Sequence, residues 1–350
     1  MLNSLEDTTV TYEDLTEIER DFEDVEKEII RQEAILSAPI YARRDVLTSK
    51  IPNFWPLVFE QAPPEIDQYI QMADGALLLG ALTSLSVSRF EPEVDPRSVI
   101  IRFEFSENKY FEDKVLEKKF WWRTAHKNSW SGLVSEAVGI KWKSPEVDLT
   151  EGLLDLVLAA EKSIASKPAL KKSNNRKLKI SEMTSEQKEL HQRIEERGVS
   201  GLSFFTWFGF IGDRISAEES AEALAELRKN GASELTPSQN EDEEDDESSD
   251  NDDLEVFPDG GELAIAISED LWPNAIKYFS MQFILLRRDI HKLKSKIQYQ
   301  MSILSRWMKM KRRRAELLKN ESLIRKLLCL YVDHGLRTTS LALSFEAIRY

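Results

Sequence analysis

The sequence predicts an α+β protein in which a long N-terminal dimerisation helix precedes a domain with an antiparallel β-sheet and packed helices. A narrow apolar stripe with helical spacing runs through residues 11–52. Apolar and polar residues then alternate within residues 85–142, and capped helical segments follow. These periods are those of a helix and of half-buried strands. Residues 1–10 are expected to be disordered and residues 281–350 to form a basic helical extension.

Residues 11–52 are predicted to form one helix that pairs with a second copy of the chain. Its apolar residues recur mostly at steps of three and four, and the opposite face is nearly all charged. A stripe this narrow on a helix of about 60 Å is typical of a coiled-coil seam. A surface helix packed on its own domain is the alternative. Pro39 should bend the helix, because proline removes a backbone hydrogen bond. The predicted seam consists of Leu15, Ile18, Phe22, Val25, Ile29 and Leu36.

Residues 85–142 are predicted to form an antiparallel meander of short strands. In Ser98–Phe105, apolar residues alternate with Arg102 and Glu104, which is the period of a strand with one solvent-facing side. Val115–Trp122 and Glu136–Lys143 are the further strand candidates.

The segment after the sheet is interpreted as a polar insertion at residues 144–200 followed by more of the fold. Leu153–Ala165 and Thr184–Arg197 are predicted helices of the insertion, the second with a capping box at its start. The aromatic run Ser203–Phe208 is assigned to the hydrophobic core, and Ser216–Asn230 is a further capped helix.

The charge of the chain is unevenly distributed. The 350 residues include 47 Lys and Arg and 62 Asp and Glu, a formal net charge of −15, whereas residues 281–350 hold 16 basic and 5 acidic residues. An acidic body disfavours binding to nucleic acid and suits a basic partner. No direct specific binding to DNA is therefore expected.

Residues 241–259 form an acidic tract, in which 12 of 19 residues are Asp or Glu and none is basic. Repulsion between the charges predicts disorder. The tract is interpreted either as a solubilising linker or as a mobile polyanion for a basic partner. Ser238 and Ser249 each precede an acidic residue by three positions, so they are candidate sites for an acid-directed kinase.

Several functional classes are disfavoured by what the sequence lacks. It contains no GxSxG, P-loop, HExxH or dinucleotide-binding glycine motif. Cys329 is the single cysteine, and the four histidines are scattered, so neither a metal site nor an internal disulfide is expected. No apolar run reaches 18 residues. We expect a soluble intracellular protein that is not an enzyme and needs no cofactor. Basic clusters at 171–179 and 309–314 are candidate nuclear import sequences, nucleic-acid patches or solvated faces.

Five ordered segments resemble the nucleosome assembly protein family, in particular its SET (template-activating factor) branch. The resemblance covers about residues 11–280. The segments are Lys50–Trp55 (KIPNFW), Arg102–Lys114 (RFEFSENKYFEDK), Ile140–Lys143 (IKWK), Ser203–Phe208 (SFFTWF) and Glu269–Phe279 (EDLWPNAIKYF).

The resemblance implies a homodimer formed through the long helix and an earmuff domain at residues 53–280 with an acidic underside for core histones. The resemblance further implies that the chain is a histone chaperone, which promotes nucleosome assembly and disassembly without ATP. The expected location is the nucleus, with or without shuttling to the cytoplasm. The expected histone-binding residues are Glu269, Asp270, Glu218, Glu219, Glu222, Glu226, Glu241, Asp242, Glu243, Glu244, Asp245, Asp246 and Glu247.

The sequence departs from the family pattern in three places. The insertion is longer than in the SET branch, and the acidic tract precedes Glu269 instead of ending the chain. Residues 281–350 resemble nothing in the family, so they are either an extension that folds back on the tract or a translated intron. Two other functions stay open. One is a coiled-coil scaffold, and the other is a regulator of the phosphatase-inhibitor or acetylation-masking type.

Overall fold

The structure, a computed structural model, describes residues 10, 12–125, 130–166, 183–198, 201–230 and 254–333. The chain divides into two compact units, residues 1–282 and residues 283–350. The elements of the described residues are α1 (Tyr12–Thr48), α2 (Phe54–Phe59), α3 (Pro64–Asp67), α4 (Met72–Ala81), β1 (Leu82–Ser88), β2 (Val99–Phe105), β3 (Val115–Thr124), β4 (Ser131–Ser135), α5 (Leu153–Ala165), α6 (Ser185–Arg197), α7 (Ala217–Asn230), α8 (Gly260–Ile265) and α9 (Ala275–Asp333), with 3-10 turns at Pro145–Val147 and Phe204–Gly209 and a π-helical turn at Ala266–Leu271.

The long N-terminal helix is confirmed. It spans 37 residues, and Pro39 lies inside it. The segment KIPNFW ends it, because Pro52 has no N–H to donate and Asn53 adopts a left-handed conformation with φ 57°. Phe54 and Trp55 then turn into the core, where each is 4 % exposed.

The four strands form the predicted antiparallel meander, in the order β1-β2-β3-β4. Phe103 in the middle of β2 lies opposite Leu85 of β1 and Leu116 of β3. Burial alternates along β2, so one face of the sheet is shielded from solvent. The side chains that form the core pack against this face.

The predicted strand Glu136–Lys143 is wrong, because the fourth strand lies earlier, at Ser131–Ser135. Beyond Ser135 the backbone leaves the sheet for another partner. The amides of Ser135 and Val138 donate to the carbonyls of Ile211 and Phe208, at 2.7 and 2.8 Å. The extended chain therefore pairs with the aromatic segment after α6, a partner 70 or more residues away that local alternation does not reveal.

The aromatic run Ser203–Phe208 lies in the core, as predicted. Phe204, Phe205, Trp207 and Phe208 are each 0 % exposed. Asp74 fixes the start of the run, because its carboxylate accepts from the amide of Phe204 at 2.8 Å and from the amide of Gln71 at 2.9 Å. Burial raises the pKa of this carboxyl.

The segment interpreted as a polar insertion contributes to the core. Leu153, Leu154 and Val157 of α5 are all buried. Helix α6 begins with the predicted capping box, in which the Thr184 amide donates to Gln187 Oε1 at 2.9 Å and the Gln187 amide donates to Thr184 Oγ1 at 3.2 Å. The basic cluster at 171–179 lies outside the described residues.

Candidate functional site

The predicted seam of α1 is not covered by its own domain. Its six side chains recur at steps of three, four and, between Ile29 and Leu36, seven residues, and they lie within an arc of about 80° on an ideal helix. The stripe continues toward the end of the helix at Ile40 and Leu47. Exposure is 46 % for Leu15, 53 % for Ile18, 66 % for Phe22, 54 % for Val25, 59 % for Ile29 and 70 % for Leu36.

A different side of α1 attaches the helix to its domain. The guanidinium of Arg44 lies 4.7, 5.6 and 4.5 Å from the rings of Tyr41, Trp55 and Trp272. Its Nη1 donates to the carbonyl of Trp272, and Trp272 Nε1 donates to the carbonyl of Leu85 at 3.2 Å. Trp272 thus joins α1 to strand β1. The sequence places Trp272 in a family motif but gives no sign that Arg44 packs on it.

The two predicted acidic residues of the π-helical turn have different environments. Glu269 is exposed, with an oxygen 3.8 Å from Arg89 Nη2. Asp270 accepts from the Tyr278 hydroxyl at 2.7 Å and from Asn274 Nδ2 at 2.9 Å. Burial, together with this hydrogen bond, raises the pKa of Tyr278 to about 12. Asp270 therefore orients the start of α9, whereas Glu269 faces solvent.

The predicted acidic residues of α7 lie on its outer side, where Glu218, Glu222 and Glu226 are exposed. Glu219 instead caps the helix, because its carboxylate accepts from the amide of Ser216 at 2.8 Å. The inner side of α7 rests on the sheet through Ser220, whose hydroxyl accepts from the amide of Thr124 at 3.0 Å.

The meander brings these acidic groups to one end of the sheet. Strand β1 ends at Ser88, next to Arg89 and its partner Glu269, and β3 ends at Thr124, beside α7. Because neighbouring strands are antiparallel, both ends lie at the same edge of the domain.

Sequence reasoning missed further acidic residues at this end. The loop between β1 and β2 carries Glu91 and the exposed Glu93, followed by Val94, which is 76 % exposed. Their position between two strands of a meander could have indicated them. We name the acidic end as the set Glu91, Glu93, Glu218, Glu222, Glu226 and Glu269.

The acidic tract is shorter than predicted, because residues 254–259 belong to the fold. Val256 and Phe257 are 1 % and 5 % exposed. Glu255 accepts from the amides of Ile211, Gly212 and Phe257, at 3.0, 2.9 and 3.0 Å. These contacts hold the chain to the core where the tract rejoins it. The predicted binding residues from Glu241 to Glu247 lie outside the described residues.

A buried lysine interacts electrostatically with Glu255. Lys118 is 0 % exposed, and its Nζ donates to the carbonyls of Glu136, Phe208 and Phe210 at 2.7, 3.0 and 2.8 Å. Burial lowers the pKa of Lys118 to about 7, and the charges of Glu255 and Glu136 oppose this shift. Burial also raises the pKa of Glu255. The two opposite charges therefore stabilise each other inside the domain.

Comparison with known families decides where the chain belongs. The model of the nucleosome assembly protein (NAP) family matches residues 12–282. The chain belongs to the NAP family.

Individual relatives are similar over much or part of the chain. A Schizosaccharomyces pombe protein that carries the family name is 28 % identical over 274 residues, which is 77 % of this chain and 79 % of that protein. Protein SET of Drosophila melanogaster is 37 % identical over 112 residues, 31 % of this chain and 39 % of that protein. The crystal structure of Ccp1 is 26 % identical with a TM-score of 0.45, covering 78 % of this chain and 95 % of that one.

The NAP match and the first compact unit end at the same residue, Gln282. Within the NAP region, the aromatic residues of the five family-like segments are mostly structural. Trp55, Phe103, Trp207 and Trp272 are all buried. The stripe of α1 and the acidic end lie instead at the surface of the described residues.

In the residues that the structure describes, no group of His, Cys, Asp or Glu side chains is arranged to hold a metal ion. None of the helices in those residues has the length and apolar character needed to cross a membrane.

We expect Arg44→Ala to loosen the end of α1 in this NAP chain. Three cation–π contacts are lost, and the rings of Tyr41 and Trp272 lose a packing partner, at a cost of about 2 kcal/mol. Hydrogen exchange of the amides in residues 41–48 should accelerate at least tenfold. Arg43→Ala is the control, because the neighbouring Arg43 is exposed. Equal exchange rates in the two variants would show that Arg44 does not hold the helix.

Proposed function

We propose that this chain is a histone chaperone that binds core histones and delivers them to DNA in the nucleus. It acts by binding alone, without ATP and without a catalytic step. The observation that carries the proposal is membership of the nucleosome assembly protein family over residues 12–282.

We propose that the acidic end forms the docking surface, assisted by the acidic tract and its residues from Glu241 to Glu247. Residues 1–280 hold 57 acidic and 31 basic residues, which gives the body a strong negative field. Histones carry a positive surface that DNA neutralises. Clustered carboxylates compete with the phosphates of DNA for that surface through long-range electrostatics. Glu269 and the outer side of α7 supply fixed carboxylates, whereas Asp270 and Glu219 support the local structure.

We propose that the working form is a homodimer joined through the stripe of α1. The charges of the helix favour an antiparallel arrangement. Residues 12–28 contain nine acidic and two basic residues, whereas residues 29–48 contain two acidic and three basic residues. Parallel pairing would set the acidic halves side by side, and antiparallel pairing sets each acidic half against the weakly basic half of its partner.

The test is a fluorescence-quench titration of labelled core histone pairs with the purified full-length chain, at low and at physiological salt. Submicromolar binding that persists at physiological salt supports a chaperone with a defined docking surface. Loss of binding at physiological salt would leave a nonspecific polyanion and would overturn the proposal.

The double variant Glu218→Gln and Glu222→Gln should weaken histone binding about three- to tenfold at low salt. Each exposed carboxylate contributes roughly 0.3–0.7 kcal/mol to such a contact. The control is Glu107→Gln with Glu112→Gln, which removes two exposed carboxylates from the opposite end of the sheet. If both double variants lose affinity equally, net charge and not the acidic end governs binding.

A further inference from the structure

The second compact unit carries a helical segment with the opposite charge to the body. Residues 294–326, part of α9, contain 11 basic and two acidic residues. Every side chain of this segment is exposed. Its densest part is Lys309–Arg314, where five of six residues are basic. The positive charge is thus displayed on a regular helix.

The basic residues surround the helix over this part. Arg312, Arg313 and Arg314 are consecutive, so their side chains leave the axis about 100° apart. The 33 residues form a rod about 50 Å long and 10–12 Å wide. The major groove of DNA is about 12 Å wide, and phosphates line both of its edges. A helix that is charged on several sides can contact the phosphates on both edges of the groove.

We propose that residues 294–326 bind the phosphate backbone of double-stranded DNA without sequence preference. Arginine and lysine neutralise phosphates and release the counterions that DNA has condensed. Arginine also donates two parallel hydrogen bonds to a phosphate. The basic cluster of Lys309–Arg314 contributes most of the contacts, and Arg306, Lys319 and Arg325 extend them along the rod.

The pattern fits DNA better than a membrane surface. A helix that lies on a membrane keeps one apolar face along its length. Here Ile297, Met301, Leu304 and Met308 follow one another at steps of four, three and four, but Lys311 and Arg312 occupy the next positions of this stripe. The five basic residues of Lys309–Arg314 are distributed around the helix, so no single apolar face continues through this part. Self-association of this segment is also disfavoured, because two copies would bring two strong positive charges together.

This activity is independent of histone binding, because it uses a different unit of the chain and the opposite charge. Together the two activities would place histones and DNA on one molecule. The DNA measurement needs no histone, so its failure would not affect the proposed chaperone function.

The experiment measures fluorescence anisotropy of two labelled 30-base-pair duplexes of unrelated sequence, titrated with the full-length chain between 50 and 200 mM salt. We expect both duplexes to bind equally. With about five phosphate contacts, affinity should fall roughly 500-fold over this salt range. Changing Lys309, Lys311, Arg312, Arg313 and Arg314 to glutamine, which preserves helix propensity, should lower affinity at 50 mM at least tenfold and reduce the salt slope by about 4.

The control changes five exposed lysines elsewhere to glutamine: Lys50, Lys109, Lys114, Lys188 and Lys277. It removes the same charge and should bind DNA as the unmodified chain does. Absence of DNA binding at 50 mM salt would overturn the proposal, as would an equal loss in both variants. In the last part of the experiment, binding of the full-length chain to vesicles of phosphatidylserine and phosphatidylcholine is measured. Binding to these vesicles without binding to DNA would assign the helix to a membrane surface and would equally overturn the proposal.

Discussion

A chain with both Phe22→Asp and Ile29→Asp is expected to run as a monomer or to aggregate, whereas the unmodified chain is expected to run as a dimer. Both side chains lie on the exposed stripe of α1, at 66 % and 59 % exposure. Burying each such side chain in a dimer contributes roughly 1.5–3 kcal/mol, and the symmetry doubles the loss. Light scattering after size exclusion distinguishes 40.4 kDa for one chain from twice that mass.

The control for this variant is Ala38→Asp with Ala42→Asp. Both alanines are exposed on α1, but they lie off the stripe. This control introduces the same charges into the same helix and should leave the dimer intact. The domain of the monomer should stay folded, because Arg44 and Tyr41 attach α1 from another side. A dimer that persists in the Phe22 and Ile29 variant would show that the stripe is not the seam.

Glu255→Ala is expected to destabilise the domain by about 3 kcal/mol and to lower its melting temperature by about 10 °C. Three backbone amides lose their acceptor, and Lys118 loses the stronger of the two opposing charges that act on it, those of Glu255 and Glu136. Unpaired buried donors and a less compensated buried charge are each costly. Thermal and denaturant unfolding, followed by circular dichroism, measure both quantities.

Glu262→Ala is the matched control, since Glu262 is an exposed carboxylate a few residues further along the chain. It should change stability by less than about 0.5 kcal/mol. Glu255→Gln should fall between the two, because the amide oxygen still accepts hydrogen bonds but carries no charge for Lys118. Equal stabilities of Glu255→Ala and Glu262→Ala would mean that the contacts of Glu255 contribute nothing to the stability of the domain.

Features encoded by local spacing could be predicted from the sequence. The stripe of α1, the alternation in β2 and the capping box at Thr184 each depend on residues within a few positions of one another. The aromatic run was correctly assigned to the core because it is too apolar to stay in water. Its exact role as a pairing partner for residues 135–138 could not be predicted.

Features that depend on distant residues escaped prediction. The end of strand β4 and the segment after it pair with the backbone of residues 208–211, which no periodicity encodes. Glu255 looked like one more member of an acidic run, yet its carboxylate holds three amides of the core. Glu91 and Glu93 join Glu269 and α7 through the antiparallel order of the strands. Composition alone cannot separate a carboxylate that caps, such as Glu219, from one that faces solvent, such as Glu222.

The contacts of Trp272 imply an order of events during synthesis of the chain. Its indole donates to a carbonyl 187 residues earlier, and its own carbonyl accepts from an arginine 228 residues earlier. The sheet and α1 leave the ribosome long before this side chain does. Contacts of such sequence separation slow folding and leave apolar surface uncovered in the meantime. Until residue 272 emerges, Tyr41, Trp55 and strand β1 lack this packing partner, so we expect the nascent chain to need protection by chaperones.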